Sequence, residues 1–288
     1  MKLGAVLPQT EFSTDEVVAF VQGLEQLGFD YVLAYEHVLG ADPDDHPQQK
    51  FIYTYKDPFQ EPMVTFAYLA ALTQRLEFVT GILVLPQRQV ALVAKQATQL
   101  HLLSGGRFRL GVGAGWNRPE AQAMGTEFSR RGRRMDEQLE LLERLWREPL
   151  VDFQGRFHQV ERLGINPLPE QPVPLWVGGY ADPVLRRAAR HAQGWIPSTL
   201  PAGQEAALVS KLHRFLEAEG RDPSKFGLDA RILCREPRQG WQATYEKWRD
   251  LGATHLRFNT LGAGLEGVSG HLEVLEKARQ NFLDWEKP

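Results

Sequence analysis

The chain has 288 residues, and its 33 basic residues nearly balance 36 acidic ones, which gives a net charge of -3. Without a basic tract, this balance argues against nucleic acid and acidic membrane surfaces as partners. Cys234 is the only cysteine, which excludes an internal disulfide and a multi-cysteine metal site and fits a reducing compartment. No apolar run reaches the roughly 18 residues of a membrane span, so we expect a cytoplasmic protein with no membrane partner.

The first part of the chain alternates short apolar strands with helices. Ser13 and Glu16 have the spacing of a capping box, and Gly28 follows the helix that they begin. Glu36 and His37 come directly after the second strand. The predicted elements are a strand at 3–7, a helix at 13–28, a strand at 31–34, a long loop at 40–59 and a helix at 62–73.

The stretch 76–117 has the clearest pattern in the sequence. Residues 76–85 form a nearly continuous apolar run broken by Gly81, as expected for a strand buried on both faces. Apolar residues then recur with helical spacing over 93–103, and a further apolar strand occupies 108–113. Two strands joined by a crossover helix predict a right-handed βαβ unit and therefore a parallel sheet.

The remaining chain continues this alternation. After a short polar connection, the predicted elements are a helix at 135–146, an irregular insertion at 149–173, a strand at 175–177, a helix from Pro183 with Asp182 as its N-cap, a strand at 195–196, a helix at 205–219, a strand at 228–233, a helix at 241–251, a strand at 256–258 and a helix at 271–285. Eight strands alternating with eight helices fit an α/β fold of the (β/α)8 TIM-barrel type better than a doubly wound sheet. We expect one barrel domain over residues 1–288, with insertions after strand two and after helix four.

In such a barrel the chemistry lies at the carboxyl ends of the strands. Glu36 and His37 are predicted to lie there, and histidine can donate or accept a proton near neutral pH. The alternative is a loop acid and a histidine that is bonded to backbone. His101 and His191 fall inside predicted helices, and we interpret them as structural. No set of His, Asp and Glu residues has the spacing of a metal site, so we expect no metal.

Three glycine-containing segments follow or interrupt predicted strands. Gly111–Gly115 lacks the final glycine of a dinucleotide fingerprint, but its bare backbone could approach a flat ligand next to Asn117, or form a tight turn. Gly178–Gly179 precedes a helix and predicts either a phosphate site or an ordinary turn. The glycine of Thr80-Gly81-Ile82 interrupts a buried strand, which is typical of a bulge, a close ligand or plain packing.

Together these segments resemble the bacterial luciferase-like superfamily of flavin- and deazaflavin (F420)-dependent oxidoreductases. The resemblance extends from Leu3 to about Pro197. Its most specific segments are Glu36-His37, residues 94–107, residues 110–117, Val177-Gly178-Gly179 and Gly194-Trp195-Ile196-Pro197. It implies a (β/α)8 barrel that holds reduced FMN or coenzyme F420 at its C-terminal mouth, and it implies a homodimer.

The resemblance also assigns roles to single residues. His37 maps beside the reactive ring with Glu36 next to it, as the catalytic pair. The implied cofactor contacts are Thr80, Gly81 and Ile82 on a strand-three bulge that often contains a non-prolyl cis peptide, Asn117, Gly178 and Gly179 as a phosphate cradle, and Trp195 at the edge of that cradle. Members that oxidise a sugar phosphate have a glutamate at the position of Ala114, which argues against that substrate.

The two cofactors imply two reactions. F420 carries a hydride, so we expect hydride transfer to or from a small organic carbonyl, alcohol or conjugated alkene, with His37 exchanging the substrate proton. We favour this reaction. FMN would instead indicate a two-component monooxygenase that acts on an aldehyde, ketone or sulfur compound and needs a separate flavin reductase. A flavin-binding barrel without turnover is a further alternative.

Two surface features are predicted to serve ligands or partners. Phe51, Tyr53 and Tyr55 in the long loop are expected either to cover the cofactor ring or to pack against the barrel rim. The long helix that bears Met135, Leu139, Leu142 and Trp146 is a candidate for the homodimer interface.

Overall fold

The computed structural model describes residues 1–197, 200–201 and 203–287, and its strands form a closed parallel barrel. Lys2 pairs with His255, and pairing of Phe78 with Phe108 closes the ring. The strands are β1 (Lys2–Val6), β2 (Tyr31–Ala34), β3 (Glu77–Thr80), β4 (Leu83–Val84), β5 (Phe108–Gly113), β6 (Val151–Gln154), β7 (Gln159–Leu163), β8 (Leu175–Gly178), β9 (Gly194–Ile196), β10 (Gly227–Leu233) and β11 (His255–Asn259). Because β3 and β4 are two parts of one strand, the nine paired segments make the eight-stranded TIM barrel that the sequence predicts.

Helices connect the strands and cover the outside of the barrel. They are α1 (Thr14–Gln26), α2 (Pro62–Ala71), α3 (Val90–Leu103), α4 (Arg118–Ala123), α5 (Arg131–Arg147), α6 (Asp182–His191), α7 (Glu205–Ala218), α8 (Gln239–Asp250) and α9 (Gly267–Trp285). The capping box of α1 is confirmed, because the Ser13 hydroxyl accepts from the Glu16 amide and the Glu16 carboxylate accepts from the Ser13 amide. None of the helices in the described ranges is long and apolar enough to cross a membrane.

Several local predictions are wrong. The connection after Asn117 is the short helix α4, and the insertion at 149–173 contains the antiparallel pair β6 and β7. Asp182 is the first residue of α6 and not its N-cap, because Ala181 has the extended backbone of the N-cap and the Asp182 carboxylate accepts from Lys211 at 2.7 Å instead of from the helix amides. The final helix begins four residues before the predicted His271, at Gly267.

The predicted strand 76–85 is interrupted at its glycine. The peptide bond between Gly81 and Ile82 is cis, and it separates β3 from β4. This confirms the interruption that the sequence indicates and the non-prolyl cis peptide that the family resemblance implies.

Helix α5 uses its apolar face within the subunit. Met135, Leu139, Leu142 and Trp146 are all buried, and the Trp146 indole N–H donates to the Ala94 carbonyl of α3 at 3.2 Å. This apolar face is therefore not available to a second subunit, and the predicted homodimer stays a prediction.

The barrel interior contains a buried polar network. Asp229 accepts hydrogen bonds from the Tyr31 hydroxyl at 2.8 Å and from Nη1 of Arg257 at 2.6 Å. The Arg109 guanidinium lies 4.9 Å from the centre of the Tyr31 ring and 4.3 Å from that of Trp176. Charged groups thus share the interior with the aromatic rings of neighbouring strands.

His255 should make the fold sensitive to acid. Burial, and then the Arg109 charge, lower its pKa from 6.5 to about 3. Between these values the unfolded chain binds a proton that the folded chain does not, so stability falls as the pH drops through this window. The expected loss is on the order of 4 kcal/mol at the acidic end.

Urea denaturation of the wild type at several pH values between 7 and about 4 measures this effect. His255→Phe keeps a ring between Tyr31 and Trp176, and it should lose much of the dependence on pH. The difference between the two proteins separates His255 from the carboxylates that titrate in the same range. Equal slopes in both proteins would contradict the assignment.

Candidate active site

The carboxyl ends of the barrel strands form one face of the molecule, the mouth, where the segments after β2, β4, β5 and β8 meet. A cavity of about 190 Å³ opens there, and its lining includes His37, Asn117, Tyr53 and Asp57. A larger groove of about 440 Å³ lies on the outer wall between α5, α6 and α7. Because strand ends carry the chemistry of this fold, the smaller cavity is the candidate site.

His37 is held by a carboxylate from another segment of the chain. Its Nδ1 lies 3.0 Å from a carboxylate oxygen of Glu120 in α4, and the His37 side chain is 10% exposed. The other Glu120 oxygen accepts from the backbone amides of Val38 at 2.6 Å and Leu39 at 3.3 Å. The histidine predicted from the sequence is therefore fixed at the mouth by an acid that the sequence did not single out.

Glu120 remains a carboxylate although it is buried. Burial raises its pKa, but the hydrogen bond and charge of His37 and the amides of Val38 and Leu39 outweigh this, so the pKa is lowered. An ionised carboxylate can only accept hydrogen bonds. It can therefore accept hydrogen bonds from all three groups that face it, which are Nδ1 of His37 and the amides of Val38 and Leu39.

Aromatic rings surround His37. Phe59 lies 4.9 Å from the imidazole centre, Trp116 lies at 5.5 Å and Tyr53 at 5.6 Å. Tyr53 also packs edge-to-face on Phe59 at 4.8 Å. These rings pack against the imidazole, and Trp116 is itself 38% exposed. Burial raises the pKa of Tyr53 to about 12, so its hydroxyl stays protonated.

The three loop aromatics lie near the cavity in different ways. Tyr53 contacts His37 and lines the cavity, and Tyr55 also lines it although its side chain is 55% exposed. Phe51 lies 6.2 Å from the ring of Trp116. A role of this loop in covering a cofactor stays a prediction.

Glu36 occupies a different environment from its neighbour. Its side chain is 2% exposed, one oxygen accepts from the guanidinium of Arg88, and the other accepts from the backbone amide of Val84. Arg88 also pairs with Glu61 at 2.7 Å. Glu36 thus links the end of β2 to Val84 and Arg88, and both of its carboxylate oxygens accept hydrogen bonds.

The interrupted strand is packed through glycines. A Cβ on Gly113 would lie 2.8 Å from the Ile82 side chain, and one on Gly178 would lie 2.5 Å from it. The Thr80 hydroxyl accepts from the Gly111 amide at 2.9 Å and lies 2.8 Å from the Gly111 carbonyl. Glycines on β5 and β8 therefore make the room in which the Ile82 side chain is held at the mouth.

The other site residues that the sequence predicts lie at or next to the starts of helices α4 and α6. Asn117 is the N-cap of α4, and its side-chain oxygen accepts from the Glu120 amide at 3.3 Å. Gly179 has a φ of 115°, a conformation that favours glycine, and it precedes α6, whose first turn has no side-chain cap. Trp195 is fully buried and donates from its indole N–H to the Gly179 carbonyl. Trp195 therefore contacts the predicted phosphate cradle through the Gly179 carbonyl.

Sequence reasoning missed Glu120 and Arg88. A signal for Glu120 was present, because Asn117 and Glu120 have the spacing of an N-cap followed by an acid at the third helical position. Arg88 has no such signal, since its partner Glu36 lies 52 residues earlier.

A family model described as luciferase-like monooxygenase matches residues 1–280. The chain belongs to this family. An uncharacterised protein from Mycobacterium tuberculosis is 40% identical over 164 residues, which are 57% of each chain. F420-dependent hydroxymycolic acid dehydrogenase of the same organism is 30% identical over 235 residues, which are 81% of this chain and 62% of the relative.

Other similar proteins share less sequence identity with the chain. Pyrimidine monooxygenase RutA of Acinetobacter baylyi is 28% identical over 259 residues, which are 84% of this chain and 66% of that protein. The chain spans only about 57% to 62% of the length of the two mycobacterial relatives. A solved F420-dependent secondary alcohol dehydrogenase superposes with a TM-score of 0.78 at 16% identity, over 96% of this chain and 97% of the other. Monooxygenase RslO1 from Streptomyces bottropensis gives 0.77 at 20% identity, over 98% and 100%, and both likenesses concern the fold alone.

Proposed function

We propose that this protein is an oxidoreductase that transfers a hydride between coenzyme F420 and a small carbonyl, alcohol or conjugated alkene. The observation that carries the proposal is the pairing of His37 with Glu120 at the barrel mouth, 3.0 Å apart and walled by aromatic rings. A histidine held in this way can exchange a proton with a substrate oxygen. The F420-dependent mycobacterial relative supports the choice of cofactor.

The residues at the mouth fit a flat tricyclic cofactor with a phosphate. The Gly81–Ile82 segment presents the Ile82 side chain next to Gly113 and Gly178 as an apolar support. The segment from Gly179 to Asp182 leads into the start of α6, which has no side-chain cap, and we place the phosphate at this segment. Asn117 lines the same cavity as His37, and we place it at the edge of the ring.

When bound, F420 supplies a hydride carrier at its central ring carbon. The chain contributes the proton chemistry and the environment. We assign His37 as the group that accepts the hydroxyl proton when an alcohol is oxidised and returns it when a carbonyl is reduced. Tyr53 and Phe59 limit the access of water to this exchange. Glu36 acts by holding Val84 and Arg88, so we place it as a positioning residue of the predicted pair.

A second candidate is an FMN-dependent monooxygenase, which the relationship to pyrimidine monooxygenase RutA favours. In that case a separate flavin reductase would be a partner. A flavin-binding barrel without turnover is a third candidate, but it would give the His37–Glu120 pair no catalytic function.

Calorimetric titration of the apoprotein with F420 and, separately, with FMN tests the proposal. We expect F420 to bind at least about tenfold more tightly, which corresponds to about 1.4 kcal/mol. Added alcohols should then bleach bound F420 without oxygen. A preference for FMN would favour the monooxygenase, and binding of neither would overturn the enzyme proposal.

We also propose that the protein is a homodimer that associates through α2 and α3. These neighbouring helices carry exposed apolar side chains, with Val64 68% and Leu103 63% exposed. Such a surface is typical of an interface. Sedimentation should give a dimer for the wild type and for Leu150→Glu, which alters an exposed leucine elsewhere, and a monomer for Val64→Asp/Leu103→Glu. A monomeric wild type would contradict this proposal.

A further inference from the structure

We infer that Glu120 is a positioning residue that fixes His37 in the tautomer protonated at Nδ1 and so reserves Nε2 for the substrate. The inference rests on the proposed role of His37. It adds the atom at which the proton is exchanged and the residue that selects that atom.

The geometry defines which ring nitrogen carries the proton. Nδ1 of His37 is 3.0 Å from Glu120, whose side chain is 1% exposed. The Val38 and Leu39 amides already donate to the other oxygen of this carboxylate. Because an ionised carboxylate only accepts, Nδ1 must be the donor. In the neutral imidazole Nε2 then carries the lone pair.

Nε2 is the nitrogen that remains open. Among the described residues it has no hydrogen-bond partner, and His37 lines the cavity at the mouth. When a substrate alcohol is oxidised, its O–H bond breaks as the Nε2–H bond forms. The resulting imidazolium is stabilised by the adjacent Glu120 carboxylate, and in the reverse direction the same proton returns to the carbonyl oxygen.

Glu120 can perform this role because it is anchored by groups other than the His37 imidazole. Its two backbone donors, Val38 and Leu39, follow His37 directly, and its own amide is bonded to the N-cap Asn117. The carboxylate therefore fixes both the imidazole and the backbone that carries it. A carboxylate that served only to cap α4 would have no contact with the histidine ring.

The tautomer can be observed without cofactor or substrate. Nitrogen-15 NMR of histidine-labelled apoprotein, with His37 assigned from the spectrum of His37→Gln, should show a protonated Nδ1 and an unprotonated Nε2. Glu120→Gln can donate as well as accept, so it should convert a measurable fraction of His37 to the other tautomer. Glu127→Gln, in an exposed pair with Arg130, should leave the wild-type signals unchanged. A neutral His37 imidazole protonated at Nε2 in the wild type, or unchanged signals in Glu120→Gln, would overturn the inference.

Kinetics in two backgrounds provide the second test. Glu120→Gln should lower kcat roughly tenfold or more in the wild type. In the His37→Ala background it should change kcat less than about twofold, because the group through which it acts is gone. Equal losses in both backgrounds would overturn the positioning role. If no turnover is found with any substrate, the proposed function fails while the NMR result still decides the tautomer.

Discussion

Replacing His37 with alanine is expected to lower turnover by a factor of about 10² or more, the usual scale for a lost acid or base. The dissociation constant of the cofactor should change less than about tenfold, or about 1.4 kcal/mol, because the imidazole is held by Glu120 and by rings of the protein itself. Steady-state kinetics together with calorimetry of the same preparations measure the two effects separately.

His191→Ala is the matched control. His191 ends α6, on the opposite face from the mouth, and it pairs with Glu143 at 3.2 Å. This variant should retain wild-type turnover. Unchanged turnover in His37→Ala would remove His37 from the mechanism. A loss of cofactor affinity as large as the loss of turnover would make His37 a binding residue instead.

The parts of the site that sequence reasoning reached are those with a local signal. His37 follows a short apolar strand. Because residues that follow the strands of such a barrel lie at its mouth, the position of His37 could be predicted. The interruption at Gly81 is visible because glycine is unusual within a buried strand. The hairpin of β6 and β7 was missed, because only alternate residues of β6 are buried and β7 is largely exposed, which leaves a weak apolar pattern.

The parts that sequence reasoning missed depend on strand order in space. Glu120 lies 83 residues after His37, and the two meet only because the ends of β2 and β5 share one mouth. Trp195 was predicted from the resemblance as a cofactor contact at the cradle edge. The structure buries its ring completely, so any effect it has on a phosphate passes through the Gly179 carbonyl.

The buried polar network inside the barrel is the clearest example of a feature that depends on how the strands are arranged in space. Asp229 and Arg257 lie on β10 and β11, and the register that pairs Asp229 with His255 brings the carboxylate to the Arg257 guanidinium. Neither residue has a local signal, since β10 also contains Arg231 and β11 also contains His255 and Asn259. Their exposures of 0% and 2% mean that water compensates neither charge.

Asp229→Asn is therefore expected to destabilise the fold by roughly 3 to 5 kcal/mol, because it leaves a buried arginine without its counter-charge. The carboxamide has nearly the same shape, so the loss reports charge and hydrogen bonding and not a cavity. Tyr31→Phe removes only the hydroxyl that donates to Asp229 at 2.8 Å, and it should cost about 1 to 3 kcal/mol. Urea denaturation at pH 7 measures both values.

Asp182→Asn separates this effect from the loss of any ion pair. Its partner Lys211 lies at the same kind of distance, 2.7 Å, but the two side chains are 55% and 33% exposed. An exposed pair contributes only about 0 to 1 kcal/mol, so this variant should be nearly as stable as the wild type. If Asp229→Asn were equally mild, the interior of the barrel would have to admit enough water to screen Arg257. The network would then be a solvated feature of the interior and not part of what holds the barrel strands in register.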